Sequence, residues 1–157
     1  MKLNLTVNGE KKSFEISIND TLMGVLRREG YHGVKHGCET GECGTCAVIM
    51  NGKAVASCIT LAAQAEGARI LTVEGIGTPE NLHPLQEAFL ETGAVQCGYC
   101  TPGMLMASKA LLDEVKNPTE EEVKFALDGN LCRCTGYVKP VEAVLLAAER
   151  MRTSPLR

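Results

Sequence analysis

Tryptophan is absent from this 157-residue chain, and tyrosine and phenylalanine number only three each. Without large rings the core must come from Leu, Val, Ile and Ala, and modest cores of that kind usually need staples. No stretch approaches the roughly 20 apolar residues of a membrane-spanning helix. The opening Met1-Lys2-Leu3-Asn4-Leu5-Thr6-Val7 has no apolar run of signal-peptide length. No basic stripe offers itself to nucleic acid, and the formal charge is only -3. Also missing are a Gly-rich phosphate loop, a nucleophile–base pair and any substrate-binding constellation, so the chain alone is expected not to be catalytic. An apolar content of 45% argues against disorder. The expectation is a globular chain in the cytoplasm, where thiols stay reduced and available as ligands.

Cysteine is what the chain has in quantity. There are eight, in two quartets, and none is left over. Cys38, Cys43, Cys46 and Cys58 follow C-x4-C-x2-C with a fourth cysteine after eleven residues, the plant-type ligand spacing for a 2Fe–2S cluster. Gly37, Gly41 and Gly44 would let the backbone bend around such a cluster and bring N–H groups near sulfur, which tunes its potential. Zinc uses C-x2-C equally well, but it usually pairs two short knuckles, and this run does not. Cys97, Cys100, Cys132 and Cys134 form C-x2-C and, thirty-one residues later, C-x-C. Spacing alone leaves iron–sulfur and zinc both open there, although a single residue between ligands suits two irons better than one tetrahedral ion. A disulfide framework does not fit a chain without an export signal. A lone thioredoxin-like pair at Cys97 and Cys100 would leave two cysteines unexplained. Each 2Fe–2S unit with its four thiolates carries about -2, so two would take the chain to roughly -7.

The pattern divides the chain in two. Leu3, Leu5 and Val7 alternate with polar residues, Asn8-Gly9 makes a turn, and Phe14, Ile16 and Ile18 alternate again, which predicts a hairpin. Asp20 is expected to cap a short helix with Leu22, Val25 and Leu26 on one face. A second hairpin is predicted from 47–50 and 53–56 around Asn51-Gly52, and a last strand at 69–73. After a linker at 78–82 the pattern becomes helical. Helices are predicted from Pro84 to near Gly93, from the Thr101-Pro102 cap with Met104, Ala107, Leu111 and Val115 on one side, from the Thr119/Glu122 capping box, and from near Pro140. The fold class predicted is α+β, with domains 1–77 and 78–157.

Three longer stretches then become specific. They are Gly41-Glu42-Cys43-Gly44-Thr45-Cys46, Gln96-Cys97-Gly98-Tyr99-Cys100-Thr101-Pro102-Gly103-Met104 and Gly129-Asn130-Leu131-Cys132-Arg133-Cys134-Thr135-Gly136-Tyr137. Together they resemble the iron–sulfur subunit of the molybdenum hydroxylases, the xanthine dehydrogenase and aldehyde oxidoreductase family, over nearly the whole chain. The resemblance implies a plant ferredoxin-like β-grasp domain holding one 2Fe–2S cluster through Cys38, Cys43, Cys46 and Cys58. It implies an all-α four-helix-bundle domain holding a second through Cys97, Cys100, Cys132 and Cys134. It further implies a large partner subunit with molybdopterin, a medium FAD subunit, and a heterotrimer or its dimer. Gln96 and Cys134 match positions that approach the pterin in that family. Pro140 stands where the family often has Ile or Val, which puts only a helix boundary in doubt.

The resemblance makes the chain an electron relay between molybdopterin and flavin or another acceptor. Two rival expectations stand beside it, a free-standing two-cluster ferredoxin and a zinc-stapled scaffold without redox activity. His32, His36 and His83 are expected to be loop or surface residues. Arg133 would offset cluster charge, bind a partner, or simply face solvent. Met104 to Met106 is expected in the core or an interface, and Glu120 to Glu122 on a solvated helix start.

Overall fold

The computed structural model describes residues 1–153, so the final four residues of the expected second domain lie outside the described residues. Two hairpins form where the sequence places them. Strands β1 (Lys2–Val7) and β2 (Glu10–Glu15) pair antiparallel from Lys2↔Glu15 to Val7↔Glu10. Strands β3 (Ala47–Met50) and β4 (Lys53–Ala56) pair likewise. Both turns are Asn-Gly with positive φ at each residue, 50° and 86° at Asn8-Gly9 and 51° and 89° at Asn51-Gly52. That geometry matches the right-handed twist of the flanking strands. Strand β5 (Arg69–Leu71) lies between the hairpins, parallel to β1 and antiparallel to β3, giving the mixed order β2-β1-β5-β3-β4.

Helix α1 (Leu22–Arg28) covers one face of this sheet. Its Leu22, Met23, Val25 and Leu26 are buried with Leu3, Leu5, Val7, Phe14, Val48 and Ile70. Two expectations fail here. Thr21 rather than Asp20 is the N-cap, its Oγ1 accepting from Gly24 N at 3.1 Å. The Asp20 carboxylate is engaged instead by Ser17 N and Arg28. Ile18 does not continue the alternation: the chain turns between Ser17 and Asp20, and Ile18 is left 75% exposed. The last strand also stops at Leu71, because Val73–Gly75 winds into a 3-10 turn.

Helices α2 (Pro84–Glu91), α3 (Thr101–Glu114), α4 (Glu120–Leu127) and α5 (Val138–Thr153) share a second core of Leu85, Phe89, Met104, Leu112, Val123, Leu127, Val141 and Val144. Cys100, not Thr101, is the N-cap of α3, so Thr101 and Pro102 are its first two residues. Helix α5 begins two residues before Pro140, which therefore sits in the first turn where no N–H is needed. The expected stripe along α3 is only half right. Met104 and Ala107 are buried, but Leu112 carries the face forward, Leu111 is half-buried and Val115 lies past the end. The reason is that α3 is covered on more than one side. It packs against α4 and also against β3 and β4 of the sheet, so Met104, Leu105 and Met106 are all buried. A helix apolar most of the way round is an interior helix.

Candidate metal centres

The first quartet sits on the loop between α1 and β3, with Cys58 just beyond β4. Cys46 and Cys58 are buried, Cys38 and Cys43 half-buried. The loop can close because Gly41 and Gly44 take φ of 82° and 69°, a region an ordinary side chain resists. A Cβ on Gly37 would lie 2.7 Å from Cys43 Sγ, so the backbone there approaches sulfur as closely as glycine allows. Backbone N–H groups of Thr40 and Cys43 both donate to Cys38 Sγ at 3.4 Å. Ser57 Oγ donates to the Cys46 carbonyl at 2.6 Å and ties the two ligand-bearing segments together. Cys38 is held down at about 5 by hydrogen bonds from the Thr40 side chain, then the Cys43 and Thr40 N–H groups. The single Thr40 hydroxyl proton is also drawn to Glu42 Oε2 at 2.8 Å, so the two N–H groups are the undivided donors. Burial, then the neighbouring Cys46, pushes Cys58 up to about 11.

The second quartet occupies two helix junctions. Cys97 and Cys100 lie between α2 and α3, and Cys132 and Cys134 between α4 and α5. The thiols of the two junctions act on one another, Cys132 and Cys97 on Cys100, and Cys97 and Cys132 on Cys134. Burial, then Cys132, pushes Cys100 up to about 12. Burial also works to raise Cys132, but hydrogen bonds from the Thr135 hydroxyl and from the Cys134 and Thr135 N–H groups bring it down to about 7. Thr135 Oγ1 donates to Cys132 Sγ at 3.1 Å, and the two N–H groups at 3.4 Å.

The donor set fits iron–sulfur chemistry. An all-thiol donor set with N–H groups aimed at sulfur suits a centre whose four thiolates are divided between two irons. Cys97 and Cys134 are exposed, and Gln96 beside them is exposed as well.

The two quartets lie side by side. Cys38, Cys43, Cys97, Cys100, Cys132 and Cys134 line one apolar cavity of about 290 Å³. Leu131 N donates to the Cys43 carbonyl at 2.9 Å, Asn130 Nδ2 to the Gly44 carbonyl at 3.1 Å, and Thr45 Oγ1 to the Tyr99 carbonyl at 3.0 Å. The Tyr99 hydroxyl reaches the His36 carbonyl. A Cβ on Gly103 would stand 2.4 Å from the Gly44 carbonyl oxygen, so the two halves touch backbone to backbone.

The remaining candidates divide. His36 pairs with Glu39 at 2.8 Å on the surface, and Arg133 is exposed. His83 does more than expected: half-buried, its Nδ1 accepts from Leu85 N at 3.1 Å as the N-cap of α2. Glu120 and Glu121 lie on solvent beside Lys124, while Glu122 completes the capping box with Thr119. Asn130, Thr135 and Tyr137 escaped sequence reasoning as individual residues, since only their motif, not their hydrogen bonds, is visible in the chain.

Two family models cover the chain in tandem: a 2Fe-2S iron-sulfur cluster binding domain over residues 5–72 and a 2Fe-2S binding domain over 72–145. The nicotinate dehydrogenase small FeS subunit of Eubacterium barkeri is 51% identical over 149 residues, covering 94% of this chain and 95% of that one. Quinoline 2-oxidoreductase from Pseudomonas putida 86 superimposes with a TM-score of 0.93 at 41% identity, covering 99% of this chain and 98% of the matched one. The aldehyde oxidoreductase from Desulfovibrio gigas superimposes with a TM-score of 0.95 at 44% identity, but this chain spans only 18% of that much longer polypeptide. With two 2Fe–2S domains in this order and full-length likeness to small FeS subunits, the chain belongs to the iron–sulfur subunits of the molybdenum hydroxylase family.

Proposed function

We propose that Cys38, Cys43, Cys46 and Cys58 hold one 2Fe–2S cluster and Cys97, Cys100, Cys132 and Cys134 the other, in a chain that relays single electrons within an oxidoreductase complex. Bound clusters of this type supply one-electron chemistry at potentials set by hydrogen bonding and exposure. The protein's own work is to fix the sulfurs, exclude water from the buried Cys46 and Cys58, and hold the two cysteine sets against each other. The observation that carries the reading is the cavity that Cys38 and Cys43 share with the whole second quartet, spanned by the Leu131 N–H to Cys43 carbonyl bond. That bond joins a residue of the first quartet to the residue preceding Cys132, a short bonded route between two redox centres.

The reading extends outward from this chain. One end of the relay faces a large molybdopterin subunit, approached through the exposed Gln96 and Cys134. The other end serves a flavin, on a medium FAD subunit, or another acceptor, in a cytoplasmic heterotrimer or its dimer. Residues 1–77 would form the ferredoxin-like β-grasp domain and 78–157 the helical one, with α2 to α5 as the four-helix bundle. In support of that bundle, α2 packs on α5, α3 on α4, and α4 on α5 around one core. Anaerobic purification of the complex, with metal analysis and EPR, tests the reading. Two rhombic S = 1/2 signals after reduction, with molybdopterin in a co-purifying large subunit, are expected. Zinc in place of iron, or a colourless chain, would overturn it.

A further inference from the structure

The loop Asn130 to Tyr137 folds three hydrogen bonds into a closed ring around Cys132. Cys132 N donates to the Tyr137 phenol oxygen at 2.8 Å. Tyr137 N donates to Thr135 Oγ1 at 3.3 Å. Thr135 Oγ1 donates to Cys132 Sγ at 3.1 Å. A hydroxyl has one proton and two lone pairs, so accepting the Tyr137 N–H on a lone pair leaves the proton for sulfur. Tyr137 holds φ of 70°, rare for a bulky residue and kept only where the surroundings over-determine it. The ring supplies such surroundings, because the phenol and the N–H of the same residue are both committed within one short loop.

Reducing a 2Fe–2S centre by one electron adds negative charge that spreads onto its thiolates. A donor on a ligand sulfur stabilises the more negative state and raises the potential. Two of the three donors to Cys132 Sγ are backbone N–H groups, which no substitution short of proline removes. The third, and the shortest, is a side chain. We propose that Thr135, aimed by Tyr137, acts through Cys132 to raise the reduction potential of the centre at the helix junctions. This rests on the reading of Cys132 as a cluster ligand.

The test uses the assembled complex carrying Thr135→Val, which keeps the shape and loses the hydroxyl, and Thr135→Ser, which keeps the hydroxyl. EPR-monitored redox titration reads each cluster by its own signal. Thr135→Val is expected to disfavour reduction of one cluster about tenfold, a downward shift of about 59 mV for a one-electron couple, with the other cluster unmoved and Thr135→Ser close to wild type. An unshifted midpoint in Thr135→Val, or equal shifts in both clusters, overturns the proposal. So does loss of the cluster in both Thr135→Val and Thr135→Ala while Thr135→Ser keeps it, since Thr135 would then be a folding residue. Iron analysis of Cys132→Ala keeps the two readings apart. Undiminished iron would remove Cys132 from the ligand set, whereas loss of one cluster's worth of iron with no Thr135→Val shift overturns the Thr135 proposal alone.

Discussion

Gly103 lies in the first turn of α3, at the point where the two halves press backbone against backbone. A methyl added there would meet the Gly44 carbonyl oxygen at 2.4 Å and Thr45 Cα at 3.0 Å, neither of which is the yielding end of a side chain. Two effects oppose each other in Gly103→Ala. Alanine in a helix gains up to about 1 kcal/mol over glycine, and less in the first turn. Overpacking a rigid contact costs about 1–3 kcal/mol. The clash therefore wins, for a net loss of about 1–2 kcal/mol. With about 2–4 °C per kcal/mol for a chain of this size, the melting temperature should fall by about 2–8 °C. Gly129→Ala is the matched control. It lies near the same junction, yet a Cβ there meets nothing within 4 Å, so its effect should stay within about 0.5 kcal/mol. Thermal unfolding of the cluster-loaded proteins, followed at the visible absorbance of the iron–sulfur chromophore, compares the three. Equal melting temperatures for Gly103→Ala and Gly129→Ala would refute the claim that the two halves press backbone against backbone at Gly103.

Cys134→Ser should disturb the EPR signal of the helical half's cluster and leave that of the ferredoxin-like half; simultaneous loss of both signals would mean that the halves load as one unit. His83 gives a pH signature. Burial, then Lys109, lowers its folded pKa below the ordinary 6.5, so the unfolded chain binds the proton more readily. Its contribution to stability is full above about pH 6.5 and declines as pH falls toward the folded value. His83→Asn retains a capping oxygen without titrating, and its melting temperature should fall less steeply than wild type between pH 7.5 and 5.5; parallel curves would contradict the assignment. Thr119→Ala removes the cap of α4 and should cost about 1 kcal/mol in chemical denaturation, a loss that Thr119→Ser should largely avoid.

What could be read from the sequence was local. Both Asn-Gly turns fix their hairpins within a few residues, so β3 and β4 fall on either side of Asn51-Gly52 as expected. The capping box at Thr119 and the proline at the start of α2 are equally short-range. The C-x4-C-x2-C run is short-range in the same way, whereas the second quartet closes only once α3 and α4 have folded between its two halves. What could not be read depends on distant partners. The parallel pairing of β1 with β5 joins residues more than sixty apart, and nothing near either strand announces it. Leu111 and Val115 looked like the continuation of a one-sided stripe, because the second partner of α3 lies in the other half of the chain. Asp20 and Thr21 are both good caps, and the choice went to Thr21 once Arg28 and Ser17 had claimed the carboxylate. That Cys38 and Cys43 share a cavity with the second cysteine set follows from Leu131 and Asn130 reaching Cys43 and Gly44, bonds that span more than eighty residues.

The burial of α3 against β3 and β4 has a consequence for how the protein is made. On the ribosome the five-stranded sheet and its α1 cover emerge first, with the other side of β3, where Ile49 is 5% exposed in the finished fold, still bare. The helix that will cover it follows roughly forty residues later, an interval of a few seconds at about 5–20 residues per second. During that interval the nascent sheet offers an apolar face to any neighbouring chain. A pause in translation placed between the two halves would lengthen this exposure, and the yield of recovered protein should fall with it.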